Sequence, residues 1–77
     1  MKLPRDLSGR VLAQHLCKNQ GYHLVHQTGS HLILQTEQPG HQRISIPNHP
    51  ALRIGTLAGL LRTIAQHKAV DRSELLP

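Results

Sequence analysis

The sequence predicts an α+β fold of order α-β-β-β-α: one three-stranded antiparallel sheet, two helices on one of its faces, and a short C-terminal helix. Three observations carry this expectation. Apolar residues recur at helical spacing toward both ends of the chain, most regularly at Leu57, Leu60, Leu61, Ile64 and Ala65, which occupy i, i+3, i+4, i+7 and i+8. Between the two helical patterns lie three segments of β character, separated by Thr28-Gly29-Ser30 and by a turn centred on Pro39-Gly40. A chain of 77 residues has room for one domain, 1–77, which buries only about 60% of the surface its unfolded form exposes.

Each element follows from local chemistry. Ser8 can cap a first helix from Gly9 to Lys18, because its hydroxyl accepts a free N–H of the first turn, and Leu12/Leu16 and Ala13/Cys17 then form one apolar stripe. Asn19-Gln20-Gly21 supplies the stop, Gly21 taking positive φ at low cost. Residues 22–27 combine an aromatic with β-branched and apolar residues, the turn follows, and 31–36 read as the returning strand of a hairpin. Residues 42–46 alternate polar and apolar, as a half-buried strand does. The prolines of Pro47-Asn48-His49-Pro50 end the sheet, and Thr56 after Gly55 can cap the second helix. Asp71-Arg72-Ser73-Glu74 has the spacing of a capping box and predicts a short terminal turn or helix.

With Leu32, Leu34, Ile44 and Ile46 directed at the helices, strand alternation puts His31, Ile33, Gln35, Arg43 and Ser45 on an uncovered face. A small domain with one open sheet face suits a polymer substrate better than a metabolite in a deep cavity. Nine Lys and Arg against four Asp and Glu give a formal charge of +5 and a pI near 10.4, so a nucleic acid or an acidic protein is the expected partner. One cysteine excludes an internal disulfide and favours a reducing compartment, with Cys17 as a packing residue. MKLPRDLSGR lacks the apolar core of a signal peptide and no run is long enough to span a membrane, so a soluble cytoplasmic protein is expected.

Seven histidines invite a metal, yet no His or Cys pair has a recognised zinc spacing, and no metal or other cofactor is expected. His15, His23, His41 and His67 read as exposed polar residues. With one Tyr and no Phe or Trp, base stacking cannot dominate nucleic-acid affinity, which leaves backbone contacts from Lys and Arg. RNA carries its own nucleophile, the 2′-hydroxyl, so its cleavage needs only a proton acceptor, a proton donor and positive charge at the phosphate. Histidine serves either proton role near neutral pH. In Gln27-Thr28-Gly29-Ser30-His31-Leu32-Ile33-Leu34, Gly29 permits close backbone approach, Ser30 can hydrogen-bond a phosphate oxygen, and His31 can transfer a proton. Chemistry alone leaves His31 either such a group or a polar residue at a strand start.

Taken in order, the N-terminal Leu-Pro-Arg-Asp-Leu-Ser-Gly-Arg, Gly21-Tyr22, Gly29-Ser30-His31, Ile46-Pro47-Asn48-His49, Gly55-Thr56-Leu57 and Leu61-Arg62-Thr63-Ile64-Ala65 resemble the HicA toxins, from Lys2 to Leu76. That resemblance implies a double-stranded-RNA-binding-domain-like fold and an mRNA interferase, an endoribonuclease that halts growth and is neutralised by a HicB antitoxin from the same operon. It also implies that His31, in the Gly-Ser-His motif, is catalytic. Tyr22 stands where Phe is common, and Thr28 where a basic or amide residue is frequent, which weakens a local phosphate contact.

For the second proton-transfer group, His49 matches a histidine often present after the family's third strand, and His26 can approach His31 across the hairpin; a structural role for His49 stands equally. Arg43 is the first choice for phosphate stabilisation, on the face it shares with His31. Gly29, Ser30, Arg43 and His49 are thus the expected substrate-binding residues, and the antitoxin is expected to cover His31 and nearby basic groups. Two competing classes remain: a non-catalytic RNA-binding module of the same fold, and an inactive toxin fold kept for protein interaction through Ile33.

Overall fold

In the computed structural model, which describes residues 2–77, the Ser8 hydroxyl accepts the Val11 N–H at 3.0 Å and starts helix α1 (Gly9–Asn19) where its side chain predicts. Leu12, Ala13 and Leu16 are buried, so the spacing seen in the sequence is the packed face. Gly21, at φ +72, turns the chain out of the helix, and the Tyr22 N–H still bonds back to the Leu16 carbonyl. Tyr22 therefore belongs to the helix end, with its ring in the core, and the first strand begins one residue later than its composition suggests.

Strands β1 (His23–Gln27), β2 (His31–Thr36) and β3 (Gln42–Pro47) form an antiparallel meander in the order β1-β2-β3. Leu32 pairs with Ile46 and Leu34 with Ile44, and all four are buried. The alternate pairs, His31 with Pro47, Ile33 with Ser45 and Gln35 with Arg43, lie on the other face, as alternation predicts. In β1 the register slips: Leu24 opposes Leu34 but His26 opposes Ile33, which makes Val25 a bulge. An unbroken strand would alternate His26 toward the helices. The bulge instead puts both His23 and His26 on the open face and keeps Leu24 and Gln27 on the helix side.

Helix α2 (Ile54–Lys68) starts two residues before Thr56, which is a correction to the expected cap. Leu52 is buried and its N–H is bound by the Leu7 carbonyl at 2.8 Å, so the chain is anchored there, and the buried Leu57 closes its first helical bond on the Arg53 carbonyl. Arg53 is the N-cap and makes no side-chain cap bond. Leu57, Leu61 and Ile64 join Leu12, Leu16 and the inward residues of β2 and β3 in one core cluster, so both helices cover the same sheet face.

The C-terminal part of the chain is tied down. Lys68 Nζ donates to Thr36 Oγ1 at 3.0 Å and to the Gln38 carbonyl at 2.6 Å, and lies 4.8 Å from the centre of the Tyr22 ring. The Tyr22 hydroxyl donates to Gln42 Oε1. Glu74 accepts the Asp71 N–H at 3.1 Å and starts a 3₁₀ turn, Arg72–Leu75, whose fully buried Leu75 closes the core. Among the described residues no helix is long and apolar enough to cross a membrane.

Candidate active site on the open sheet face

The β1–β2 turn is built around Thr28. Its hydroxyl accepts the N–H groups of His31 at 2.9 Å and Ser30 at 3.3 Å, while its own N–H donates to the His31 carbonyl at 3.0 Å. From the other side the Asn48 N–H donates to the Ser30 carbonyl at 2.9 Å. The Ser30-His31 backbone is thus held both by the turn and by the chain leaving β3. Ser30 Oγ lies 3.0 Å from His31 Nδ1, the His31 side chain is exposed, and a Cβ placed on Gly29 would meet nothing. This contact engages Nδ1 and leaves Nε2 free for an incoming group.

Three rows cross the open face: His31 with Pro47, then His26 with Ile33 and Ser45, then His23 with Gln35 and Arg43. His26 is the diagonal neighbour of His31, a separation of about 7–8 Å between such positions. Arg43 shares the face but sits four residues along from His31, a distance of about 13 Å at strand rise. Its Nε donates to Gln35 Oε1 at 3.2 Å. Gln35 in turn donates to Glu37, and the Glu37 carboxyl is held below its ordinary range first by its hydrogen bond with His41, then by Gln35. That exposed carboxylate is linked to Arg43 through Gln35, in the turn at the end of β2 away from His31.

His49 is exposed, and its carbonyl accepts the Gly9 N–H at 3.0 Å, which seats the start of α1 on the loop after β3. A Cβ on Gly9 would overlap the Pro47 carbonyl oxygen, so only glycine allows this approach. Ser8, Arg10, Asn48, His49 and Pro50 line a shallow pocket of about 340 Å³ at the His31 end of the sheet. The structure therefore gathers Gly29, Ser30, His31 and His49 at one end and leaves Arg43 at the other. Arg10 joins that end unforeseen: in the sequence it is one more helix-surface cation, and only the Gly9-to-His49 contact reveals its position. The bulge at Val25 likewise has no signature in the sequence.

Of the remaining histidines, His23 and His41 are exposed as expected, whereas His15 and His67 are half-buried. His67 Nε2 donates to the Gly40 carbonyl at 2.8 Å and fastens α2 to the β2–β3 turn, and Asn19 donates to His15 Nδ1 at 3.1 Å while the buried Nε2 of that ring has no partner. No three His, Cys, Asp or Glu among the described residues are grouped to hold a metal ion. Tyr22, the one aromatic, is 1% exposed and offers no stacking platform. The open face thus presents imidazoles, hydroxyls, amides and guanidinium groups: proton transfer and phosphate contacts rather than base stacking.

A family model described as the HicA toxin of bacterial toxin-antitoxin matches residues 10–66, from the first turn of α1 nearly to the end of α2, with the Gly29-Ser30-His31 turn inside the match. No curated protein and no solved structure matches the chain.

Proposed function

Since the chain belongs to the HicA toxin family of bacterial toxin–antitoxin systems, we propose that it is a metal-independent endoribonuclease that cuts mRNA in the cytoplasm and is neutralised by a HicB-type antitoxin. The observation that carries this reading is the exposed His31 ring, its Nδ1 engaged by Ser30 at 3.0 Å, beside an unobstructed Gly29. A phosphodiester can approach that corner without displacing any side chain.

In the proposed reaction one imidazole takes the proton of the 2′-hydroxyl, the 2′-oxygen attacks phosphorus, and the 5′-oxygen departs with a proton from a second group. The products are a 2′,3′-cyclic phosphate and a free 5′-hydroxyl. His31 is one partner. His26, turned onto the same face by the bulge and diagonal to His31, is the other, and two imidazoles at that separation bracket a phosphate. Arg10 supplies positive charge and His49 a hydrogen bond at the same end, with Gly29 and Ser30 in contact with the phosphate. Arg43 binds a phosphate farther along the strand.

The test is cleavage of a short RNA in the presence of EDTA, compared with the same oligonucleotide carrying a 2′-deoxy sugar at the cut position. The expected result is a cyclic-phosphate end from the all-RNA substrate, no cut at the deoxy position, and no activity in a folded His31→Ala variant. RNA binding without cleavage by the wild-type chain would leave only a non-catalytic module.

A further inference from the structure

One row of the sheet's helix-facing side is incomplete. Leu24, Leu34 and Ile44 are its members, paired across the three strands. Ile44 is 7% exposed and Leu34 fully buried, but Leu24 is 49% exposed, because the two-helix layer does not reach across β1. Beside Leu24 runs a groove of about 530 Å³, edged by the exposed Leu24 and Gln27 above the buried Leu32 and Leu34, and walled by Arg10, Ala13, Gln14, Cys17 and Lys18 of α1. Those five positions follow i, i+3, i+4, i+7, i+8, so the wall is one continuous helix face.

We propose that this groove seats an acidic, amphipathic helix of the antitoxin. The inference rests on the toxin reading above and adds to it a second surface, on the helix side of the sheet, which meets the proposed RNA site only at Arg10. The shape asks for a helix: lying alongside α1 it would complete the helical layer over β1 and bury Leu24, at the separation of about 8–10 Å at which helices pack. The charge asks for an acidic one. Arg10 and Lys18 stand at the two ends of the wall, about 12 Å apart along the helix axis, and no Asp or Glu lines the groove. A second copy of this chain would bring its own +5 charge against those cations. RNA would gain its phosphate contacts but nothing from the exposed Leu24.

An anchor at this groove separates holding the toxin from blocking His31. Affinity depends on Leu24 and Lys18, whereas inhibition depends on what the rest of the antitoxin does around the β1 edge.

The test uses the full chain in a His31→Ala background, so that it can be produced safely, titrated calorimetrically with the purified product of the neighbouring open reading frame. Leu24→Asp should weaken binding at least roughly thirty-fold and Lys18→Glu roughly ten-fold, the size of a central anchor and a flanking charge. Hydrogen exchange should slow along α1 and β1 on complex formation. In cells, Leu24→Asp with His31 intact should remain toxic and no longer be rescued. Lys18 is a surface residue, so Lys18→Glu keeps the test open if Leu24→Asp fails to fold. Unchanged affinity in folded variants overturns the inference and leaves the toxin reading intact. So does loss of RNA binding in Leu24→Asp, which would assign the groove to RNA, or a partner-free dimer that Leu24→Asp dissolves. No binding of the neighbour by any form overturns the antitoxin pairing itself, and the groove assignment with it.

Discussion

Ser30 Oγ lies 3.0 Å from His31 Nδ1, and the Ser30 carbonyl is bound at 2.9 Å by the Asn48 N–H, so the residue that engages the imidazole is itself fastened to the end of β3. An exposed histidine otherwise samples several rotamers, and a single hydrogen bond with its own neighbour restricts the ring orientation. His31→Ala is expected to abolish proton transfer, a loss of about 10²–10⁴ in kcat. Ser30→Ala should lower kcat by roughly ten-fold, with KM changed less, as expected of a group that orients a proton-transfer residue. Equal losses in kcat and RNA affinity would make Ser30 a phosphate ligand alone.

The diagonal placement of His26 makes the identity of the second proton-transfer group measurable. His26→Ala should lower kcat by about 10²-fold or more. His49→Ala should keep kcat and raise KM, since His49 lies in the pocket with Arg10. The reverse pattern would move the second role to His49.

On the proposed reading Arg10 and Arg43 meet RNA at different places. Each phosphate contact with a single strand contributes about −0.7 to the slope of log affinity against log salt. Arg10→Ala and Arg43→Ala are each expected to reduce that slope by about 0.7. Only Arg10→Ala should also lower kcat, because Arg43 stands four residues along the face from His31. Shortening the RNA on one side of the cut should erase the Arg43 effect first.

Two glycines in the site region are expected to behave oppositely. Gly9→Ala would drive a methyl into the Pro47 carbonyl and loosen the bond from the Gly9 N–H to His49, a loss of about 1–3 kcal/mol in chemical denaturation. Gly29→Ala has free space around it and should leave stability within about 0.5 kcal/mol. On the proposed reading the same methyl stands where a phosphodiester approaches His31, so cleavage should fall in Gly29→Ala although the fold is unharmed.

The contrast between these glycines bears on how far the sequence could be read. Ser8 as a cap, the Gly21 stop, the alternation in β2 and β3, and the Asp71/Glu74 turn were legible because each depends on residues within a few positions of one another. The start of α2 was not, since Leu52 is anchored by Leu7 across the molecule and that contact overrides the local signal at Thr56. The candidate site divides the same way. Gly29-Ser30-His31 is one contiguous stretch, while the roles of Gly9, Arg10 and Val25 depend on a loop-to-helix contact and a strand register that no local pattern encodes. Gly9 in particular reads as an ordinary first-turn residue until Pro47 is placed beside it.

The core offers a test at alkaline pH. Burial pushes the Tyr22 phenol from about 10 up to about 12, and burial also lowers Lys68, whose ammonium sits over the same ring. A phenol is neutral when protonated, so the folded state holds this proton more tightly than the unfolded state does. Its contribution to stability is fully present below pH 10 and is lost as the pH rises from 10 toward 12. Lys68 has the opposite sign: its folded value lies below its unfolded one, so deprotonation in that range relieves the cost of a desolvated charge. Tyr22 is the one tyrosine and there is no tryptophan, so its ultraviolet phenolate band reports this titration directly. The band should appear with a midpoint near 12 in the folded protein and near 10 in urea, and the melting temperature should fall between those values. Tyr22→Phe loses the hydrogen bond to Gln42, about 1 kcal/mol at neutral pH, and leaves only the Lys68 contribution between these two groups. Its melting temperature should therefore fall less steeply with pH than that of the wild type, and a Tyr22 midpoint near 10 in the native protein would mean that the ring is not buried.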